Sequence, residues 1–176
     1  NLVRIKAGRP QKIGGWRKDN SNTFLGTCRA LHSWLTLTGT KLLGLGTNKK
    51  YYIEEGSSFN DITPIRSTTS AGDVTFAKVG NGDATLTVSD TGHGAVVGDF
   101  VTYSGAASLG GNIVANVLNQ EYEISTIINA NSYTIEAKDT SGNTVLAAAG
   151  DSGNGGSSTV GAYQVNIGLD IYVTST

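Results

Sequence analysis

Residues 28–62 read CRALHSWLTLTGTKLLGLGTNKKYYIEEGSSFNDI. Leucine, tyrosine, isoleucine and threonine recur there in short runs, and the runs are separated by pairs such as Thr38-Gly39 and Gly56-Ser57. Runs of this kind between turn-forming residues are typical of short strands joined by tight turns. The stretch therefore predicts a four-stranded antiparallel meander, with strands at 28–37, 41–47, 50–54 and 59–62.

The first of these predicted strands is apolar on both sides. Its odd positions include Leu31 and Leu35, while its even positions include Ala30 and Trp34. A strand that is apolar on both faces is typical of stacked sheets, in which each face is covered. A four-stranded sheet that cannot cover its own faces matches one blade of a β-propeller, so we expect a partial, propeller-like blade.

A second periodic signal lies at the carboxyl end, where residues 161–176 read GAYQVNIGLDIYVTST. Every odd position from Tyr163 to Val173 is apolar. Alternation with a period of two predicts a strand with one buried face. We expect this long strand to return the chain to the meander sheet, which makes residues 67–160 an insertion.

The segment 67–160 predicts a β-domain of its own. Alternation over 84–89 follows the hairpin-turn pair Asn81-Gly82. Further strands are predicted at 99–104, 121–128, 132–137 and 143–148. That number of strands is enough for a small barrel or sandwich. The Gly- and Ser-rich run from Gly150 to Gly161 predicts a flexible connection to the last strand.

The predicted fold is therefore all-β, an antiparallel meander with an inserted small β-barrel or sandwich domain. We expect four parts: a basic extended arm at 1–22, the meander at 23–66, the inserted domain at 67–160 and the return strand at 161–176. No apolar run approaches the roughly eighteen residues of a membrane span. The sequence therefore predicts no membrane span.

Charge is distributed unevenly along the chain. Residues 1–50 hold ten basic residues and one acid, a net charge of +9, whereas the remaining residues hold three and thirteen, a net charge of −10. Such a split suggests electrostatic complementarity between neighbouring copies or parts, with a solvated arm or contact with packaged DNA as the alternatives. The candidate subunit contacts are the basic residues of the arm and its large aromatic residue: Arg4, Lys6, Arg9, Lys12, Trp16, Arg17 and Lys18.

The sequence contains no recognisable catalytic constellation. A histidine-based triad would need His32 or His93, and neither a Gly-x-Ser-x-Gly elbow nor a zinc-protease, phosphate-loop or dinucleotide fingerprint is present. The segment 151–154 offers oxygen donors but lacks the ligand pattern of an EF-hand, so a linker is favoured over a calcium site. A catalytic pair of carboxylates stays open, because its criterion is a distance in space. We predict no enzyme, no cofactor and no metal site.

Two sets of short stretches carry a resemblance. The first set is 1–4 (NLVR), 8–16 (GRPQKIGGW), 28–34 (CRALHSW), 43–47 (LGLGT) and 61–64 (DITP). It resembles the tail-nozzle or tail-stabilisation components of short-tailed bacteriophages, which are β-propeller-like and form rings. The second set is 92–94 (GHG), 98–101 (GDFV), 118–122 (LNQEY) and 131–135 (NSYTI). It is similar to a small β-domain of phage structural proteins, in which a His-Gly turn precedes a Gly-Asp-x-Val strand.

The resemblance implies a homo-oligomeric structural protein of the virion, in the tail rather than the capsid. Sister subunits and other virion proteins are the implied partners, with packaged DNA and a host-surface receptor as further candidates. It implies no enzymatic residues and a turn-capping role for His93. Two alternatives stay open: a receptor- or glycan-binding module of a tail fibre, with tyrosine and asparagine side chains of the insertion contacting sugar, and a head-decoration protein.

Overall fold

The computed structural model describes residues 2–13 and 21–167, and β-strands are the dominant structure. The strands are β1 (Leu2–Lys6), β2 (Arg9–Ile13), β3 (Cys28–Leu35), β4 (Lys41–Thr47), β5 (Tyr51–Glu55), β6 (Ser58–Asp61), β7 (Ile65–Thr68), β8 (Thr75–Lys78), β9 (Thr85–Ser89), β10 (Phe100–Ser104), β11 (Glu121–Glu123), β12 (Thr126–Asn129), β13 (Ser132–Glu136) and β14 (Val160–Gln164). One short helix, α1 (Ala115–Leu118), lies between β10 and β11. The strand pairings are antiparallel, so the all-β prediction is confirmed.

The amino-terminal arm, which the sequence predicted to be extended, contains a β-hairpin. β1 pairs with β2, and the register places Lys6 opposite Arg9. Between them, Ala7 and Gly8 have φ angles of 51° and 74°. Positive φ at both central residues is the type I′ geometry that matches the twist of paired strands. The hairpin makes no extensive contact with any other described strand.

The predicted meander is confirmed. Strands β3, β4, β5 and β6 form one sheet in sequential order. One cross-strand row consists of Leu31, Leu45, Tyr52 and Asp61, and the next row consists of His32, Gly44, Ile53 and Asn60. Successive rows point to opposite faces of a sheet. The meander therefore has two chemically distinct faces.

The segment 21–27 covers one face of the meander over β4, β5 and β6, whereas Leu31 and Leu35 of β3 on the same face are 62% and 64% exposed. The ring centroid of Phe24 lies 6.2 Å from that of Tyr52 and 5.1 Å from that of Phe59. The Leu25 backbone N–H donates to the Tyr52 hydroxyl at 3.1 Å. Leu45 and Tyr52 are consequently buried. The opposite face, which the sequence also predicted to be covered, is open in the part of the chain that the structure describes.

Residues 65–167 form a sandwich rather than a closed barrel. Its sheets have the strand orders β11-β10-β14-β7 and β12-β13-β9-β8. Apolar and tyrosine side chains from both sheets share one core, which includes Val74, Phe76, Leu86, Val88, Val101, Tyr103, Tyr122, Ile124, Tyr133, Ile135 and Tyr163. Two facing sheets with a common core are the β-sandwich arrangement.

Two local predictions for the insertion differ from the structure, and three short elements were not predicted. The predicted strand 121–128 is two strands, because the chain changes sheets where Ile124 N–H donates to Asp99 O and Ser125 N–H donates to Thr134 O. The predicted strand 143–148 is a loop with a single β-bridge, between Lys138 and Thr144. Strands β7 and β8 and helix α1 had no prediction, because each has only four residues.

The glycine-rich segment 150–159 is tied to the sandwich, so the prediction of a flexible connection was wrong. Gly153 N–H donates to Leu109 O at 2.7 Å, and Phe76 N–H donates to Asn154 O at 3.0 Å. At Gly155 φ is +89°, and a Cβ there would lie 2.7 Å from Cδ2 of Phe76. Glycine therefore permits close packing of the backbone at this point.

The return strand pairs differently from the prediction. β14 lies between β10 and β7, so its described part belongs to the sandwich and not to the meander sheet. The reason is that Tyr163, which is 1% exposed, fills the sandwich core. Beyond β14, Val165 N–H donates to the carbonyl of Pro64 at the end of the meander. The rest of the predicted strand, residues 168–176, lies outside the described residues.

Candidate functional site

The open face of the meander carries a shallow apolar groove of about 300 Å³, which we call the meander groove. Its lining residues are Ala30, Leu31, His32, Trp34, Gly44, Leu45, Gly46, Tyr51, Tyr52, Ile53 and Ile62. By the strand register, the side chains of Leu31, Leu45 and Tyr52 point to the other face of the sheet. None of the lining residues carries a formal charge with histidine neutral. Ile62 is 49% exposed and Tyr51 is 40% exposed. The groove thus presents aliphatic and aromatic surface to solvent.

Trp34 and Gly44 determine the shape of the groove. A Cβ on Gly44 would lie 3.1 Å from Cζ3 of Trp34, so the absence of a side chain allows the indole ring to lie close to the sheet. The ring of His32 stacks on Trp34 with centroids 5.8 Å apart and an interplanar angle of 23°. His32 is exposed there, and its role is to extend an aromatic surface. Tryptophan and tyrosine with one accessible side are enriched at protein interfaces.

A buried lysine connects the meander to the sandwich. The side chain of Lys50 is 2% exposed, and its Nζ donates to Asp61 Oδ2 and Glu121 Oε1, each at 2.5 Å. The same Nζ lies 4.5 Å from the ring centroid of Phe100. Asp61 belongs to β6, whereas Glu121 and Phe100 belong to the sandwich. We call this cluster the Lys50 junction.

The charges of the Lys50 junction depend on one another. Burial acts to raise the pKa of Asp61, but hydrogen bonds from Lys50 and Thr63 outweigh it and hold that pKa below its usual value. Gln164 Nε2 donates to Glu121 at 2.8 Å, and Lys49 pairs with Glu123 at 2.6 Å beside the cluster. A buried ammonium is tolerated only when it is paired and hydrogen-bonded. The junction is therefore a structural contact, and the sequence signal for it was only a lysine at the start of a predicted strand.

A chain of hydroxyl groups crosses the sandwich core. Tyr163 donates to Asp90 Oδ2 at 2.5 Å, and its oxygen lies 2.7 Å from the hydroxyl of Tyr133. The hydroxyl of Tyr133 lies 2.6 Å from that of Tyr103. Burial is the main cause that raises the pKa of Tyr133 to about 12 and the pKa of Tyr163 further. These phenols are consequently protonated hydrogen-bond donors inside the protein.

His93 caps a turn, as the resemblance implied. Ala95 N–H donates to Nδ1 at 3.0 Å, so the ring proton is on Nε2, which donates to the carbonyl of Asn129 at 3.1 Å. Tyr133 meets the ring edge to face, with centroids 4.9 Å apart. Both nitrogens of His93 are thus engaged by the fold.

Asp151 lies in the segment 151–154, whose oxygen donors were considered as a calcium site. Its carboxylate accepts hydrogen bonds from backbone N–H groups. Oδ1 accepts from Gly111 and Ile113, while Oδ2 accepts from Asn112 and Ala148, at 2.8 to 3.1 Å. Burial acts to raise the pKa of Asp151, but these four donors outweigh it and hold the pKa below its usual value. A carboxylate surrounded by donors is not arranged to bind a cation. Across 2–13 and 21–167, no group of three His, Cys, Asp or Glu residues could hold a metal ion.

The predicted contact residues of the arm are only partly described. Arg4, Lys6 and Arg9 are exposed on the hairpin. Lys12 pairs with Val3 in the hairpin register. Trp16, Arg17 and Lys18 lie outside the described residues. A subunit-contact role for these seven residues stays a prediction.

The insertion offers little tyrosine surface for the glycan-binding alternative. Tyr103, Tyr122, Tyr133 and Tyr163 are each less than 5% exposed. Asparagines of the insertion such as Asn81 and Asn131 are exposed, and accessible aromatic rings lie instead in the meander groove, at Trp34 and Tyr51. Within the described residues, no helix is long and apolar enough to cross a bilayer.

No protein-family model matches the chain, and no curated protein sequence matches it.

Proposed function

We propose that this chain is a structural component of a bacteriophage virion, a tail protein of the nozzle, hub or stabilisation type. In this proposal it assembles into a ring by packing against sister subunits and other virion proteins. The observation that carries the proposal is the meander groove, an exposed, uncharged surface with aromatic and aliphatic lining. Contiguous apolar surface of this kind marks interaction sites in soluble proteins.

The composition of the meander groove favours a packed protein partner. Interface cores are depleted in charged residues and enriched in aromatic ones, and the groove combines Trp34 and Tyr51 with Ile53 and Ile62. On the face opposite the groove, Phe24 and its neighbours cover Tyr52 and Phe59. A sister subunit on the groove would cover the side of β3 that carries Trp34, while Leu31 and Leu35 on its other side are further exposed apolar surface.

The location in the virion rests on the resemblance of the amino-terminal stretches to tail components. Immunogold labelling of intact particles, with antibodies raised against the sandwich, tests it. We expect gold at the tail, and no gold when the antibody is first absorbed with the purified chain. Gold over the head would reject the tail assignment and favour a decoration protein.

A second candidate function is receptor or glycan binding by a tail fibre. One observation favours it, the stacked His32 and Trp34 rings beside the accessible Tyr51. Aromatic rings with one open face are suited to recognition as well as to packing. A glycan array separates the two functions, because binding that is abolished by Trp34→Ala, with the fold intact, would support the receptor module.

A further inference from the structure

The β1–β2 hairpin concentrates positive charge without a balancing acid. Residues 1–18 contain six basic residues and no acid. Of the three whose side chains are described, Arg4 donates to the amide oxygen of Gln11 at 3.3 Å. The ion pairs of the described residues involve Lys49, Lys50 and Arg66, and none involves Arg4, Lys6 or Arg9. These three cations are exposed and have no carboxylate partner among the described residues.

The hairpin register places the three cations on one face. Lys6 is directly opposite Arg9, and Arg4 is two residues from Lys6 on the same strand. Directly paired residues and residues two apart share a face of a β-ribbon. Like charges directly opposite each other are destabilising, and a two-stranded ribbon is marginally stable by itself. An anion against this face would relieve the repulsion between Lys6 and Arg9.

The acidic residues of a second copy are poorly suited to supply that anion. Beyond residue 50, every described carboxylate except that of Glu55 accepts a hydrogen bond from its own chain. Asp90, Asp99 and Asp151 are also buried. Eleven of the twelve described carboxylates beyond residue 50 are thus already engaged by hydrogen bonds within the fold. This observation favours an external polyanion over the complementarity between copies that the charge split alone suggested.

We propose that the β1–β2 hairpin binds the phosphodiester backbone of double-stranded DNA through Arg4, Lys6 and Arg9. Two residues along a strand advance about 6.8 Å, and a duplex strand carries one phosphate per about 3.4 Å of axis. Arg4 and Lys6 are therefore far enough apart to contact separate phosphates of one strand. Contacts with phosphate position a protein on the duplex but carry no sequence information, so we expect binding that is independent of sequence.

Fluorescence anisotropy of the full chain with a labelled random-sequence duplex tests the proposal. Three phosphate contacts predict an affinity that falls about 40-fold between about 50 and 200 mM salt. The variant Arg4→Gln, Lys6→Gln, Arg9→Gln should lose that binding, because each cation accounts for about one unit of the salt slope. Lys41→Gln is the matched control, since it removes an exposed cation of the basic half outside the hairpin. It should bind as the parent does.

A charge-conserving variant shows whether positive charge alone accounts for the binding. Arg4→Lys with Arg9→Lys retains the charge and should retain binding. Duplex binding that is absent from the parent, or equal in the parent and the triple glutamine variant, would overturn the proposal. A triple variant that binds DNA normally but changes the sedimentation of the chain would overturn it in favour of a subunit contact. None of these outcomes involves the meander groove, so they test the hairpin separately from the proposed packing.

Discussion

Replacing Tyr163 by phenylalanine tests the buried hydroxyl chain at its charged end. The hydroxyl of Tyr163 donates to Asp90, which is 4% exposed. An ionised carboxylate only accepts hydrogen bonds, so the chain runs in one direction, with Tyr103 donating to Tyr133 and Tyr133 donating to Tyr163. Phenylalanine keeps the ring and its edge-to-face contact with Tyr133. Only the hydroxyl is removed.

The expected cost follows from the groups left without partners. Tyr163→Phe leaves the buried carboxylate of Asp90 without its donor and the Tyr133 hydroxyl without its acceptor. A hydrogen bond to a charged group contributes about 1.5–3 kcal/mol, and an unsatisfied buried donor adds to the loss, so we expect about 2–4 kcal/mol. Tyr103→Phe removes a neutral bond at the other end of the chain and should cost only about 1 kcal/mol.

Urea unfolding at neutral pH measures both variants against the parent. The midpoint should fall more for Tyr163→Phe than for Tyr103→Phe, with an unchanged slope in each case. Equal losses in the two variants would refute the direction of the chain. A loss below about 1 kcal/mol for Tyr163→Phe would show that the hydroxyl does not serve a buried carboxylate.

Three further predictions concern the buried charges and phenols. Burial raises the native pKa of Tyr133 to about 12 from 10.0. As pH rises, the unfolded chain therefore loses this phenol proton before the native protein does, and the free energy of unfolding should fall between pH 10.0 and about pH 12. Urea unfolding at several alkaline pH values checks this, and a free energy that does not change with pH would contradict it. Asp151→Asn should cost about 2 kcal/mol or more in urea at neutral pH, since it removes the charge that accepts four backbone donors. The lowered pKa of Asp151 makes its contribution complete above its unfolded-state pKa and lost as pH falls through the native value, so the difference between parent and variant should shrink in acid. Lys50→Met should destabilise the protein by about 1–3 kcal/mol, less than the loss of a fully buried ion pair, because Asp61 and Glu121 are about a third exposed and can rehydrate. Lys49→Met breaks a more exposed ion pair and should cost at most about 1 kcal/mol. A larger loss for Lys49→Met than for Lys50→Met in urea unfolding would contradict the structural role of the Lys50 junction.

The meander could be predicted from the sequence because its signals are local. Turn pairs such as Thr38-Gly39 and Gly56-Ser57 define where each strand stops, and adjacent strands in the chain are adjacent in the sheet. Local turn chemistry and sequential pairing require no knowledge of distant residues. The same reasoning located β9, β10 and β13 in the insertion.

The partner of a strand could not be predicted, because alternation indicates a buried face and not the sheet that buries it. β14 has the predicted alternation, yet Tyr163 enters the sandwich core. The break between β11 and β12 is equally invisible, since the change of sheet depends on the backbone contacts of Ile124 and Ser125. A high glycine content is also ambiguous, because it is typical of flexible linkers and of tightly packed backbone alike. At Gly155 the absence of a side chain permits a close contact with Phe76.

The candidate surfaces were predicted only in outline. The apolar pattern of β3 indicated a sheet with two faces to cover, but which face stays open depends on where Phe24 packs. The uneven charge distribution follows directly from the sequence. The hydrogen bonds that most of the carboxylates accept within the chain could be seen only in the structure. The Lys50 junction joins residues 71 positions apart in the chain, which no local pattern reports.

Sedimentation velocity of the purified chain tests the proposed packing most directly. Ile62→Asp places a charge in the meander groove, and Ile128→Asp is its control, because Ile62 and Ile128 are 49% and 53% exposed and only Ile62 belongs to the groove. We expect the parent and Ile128→Asp to sediment as the same oligomer and Ile62→Asp to sediment as a smaller species. A monomeric parent, or an oligomer that Ile62→Asp leaves unchanged, would contradict the account.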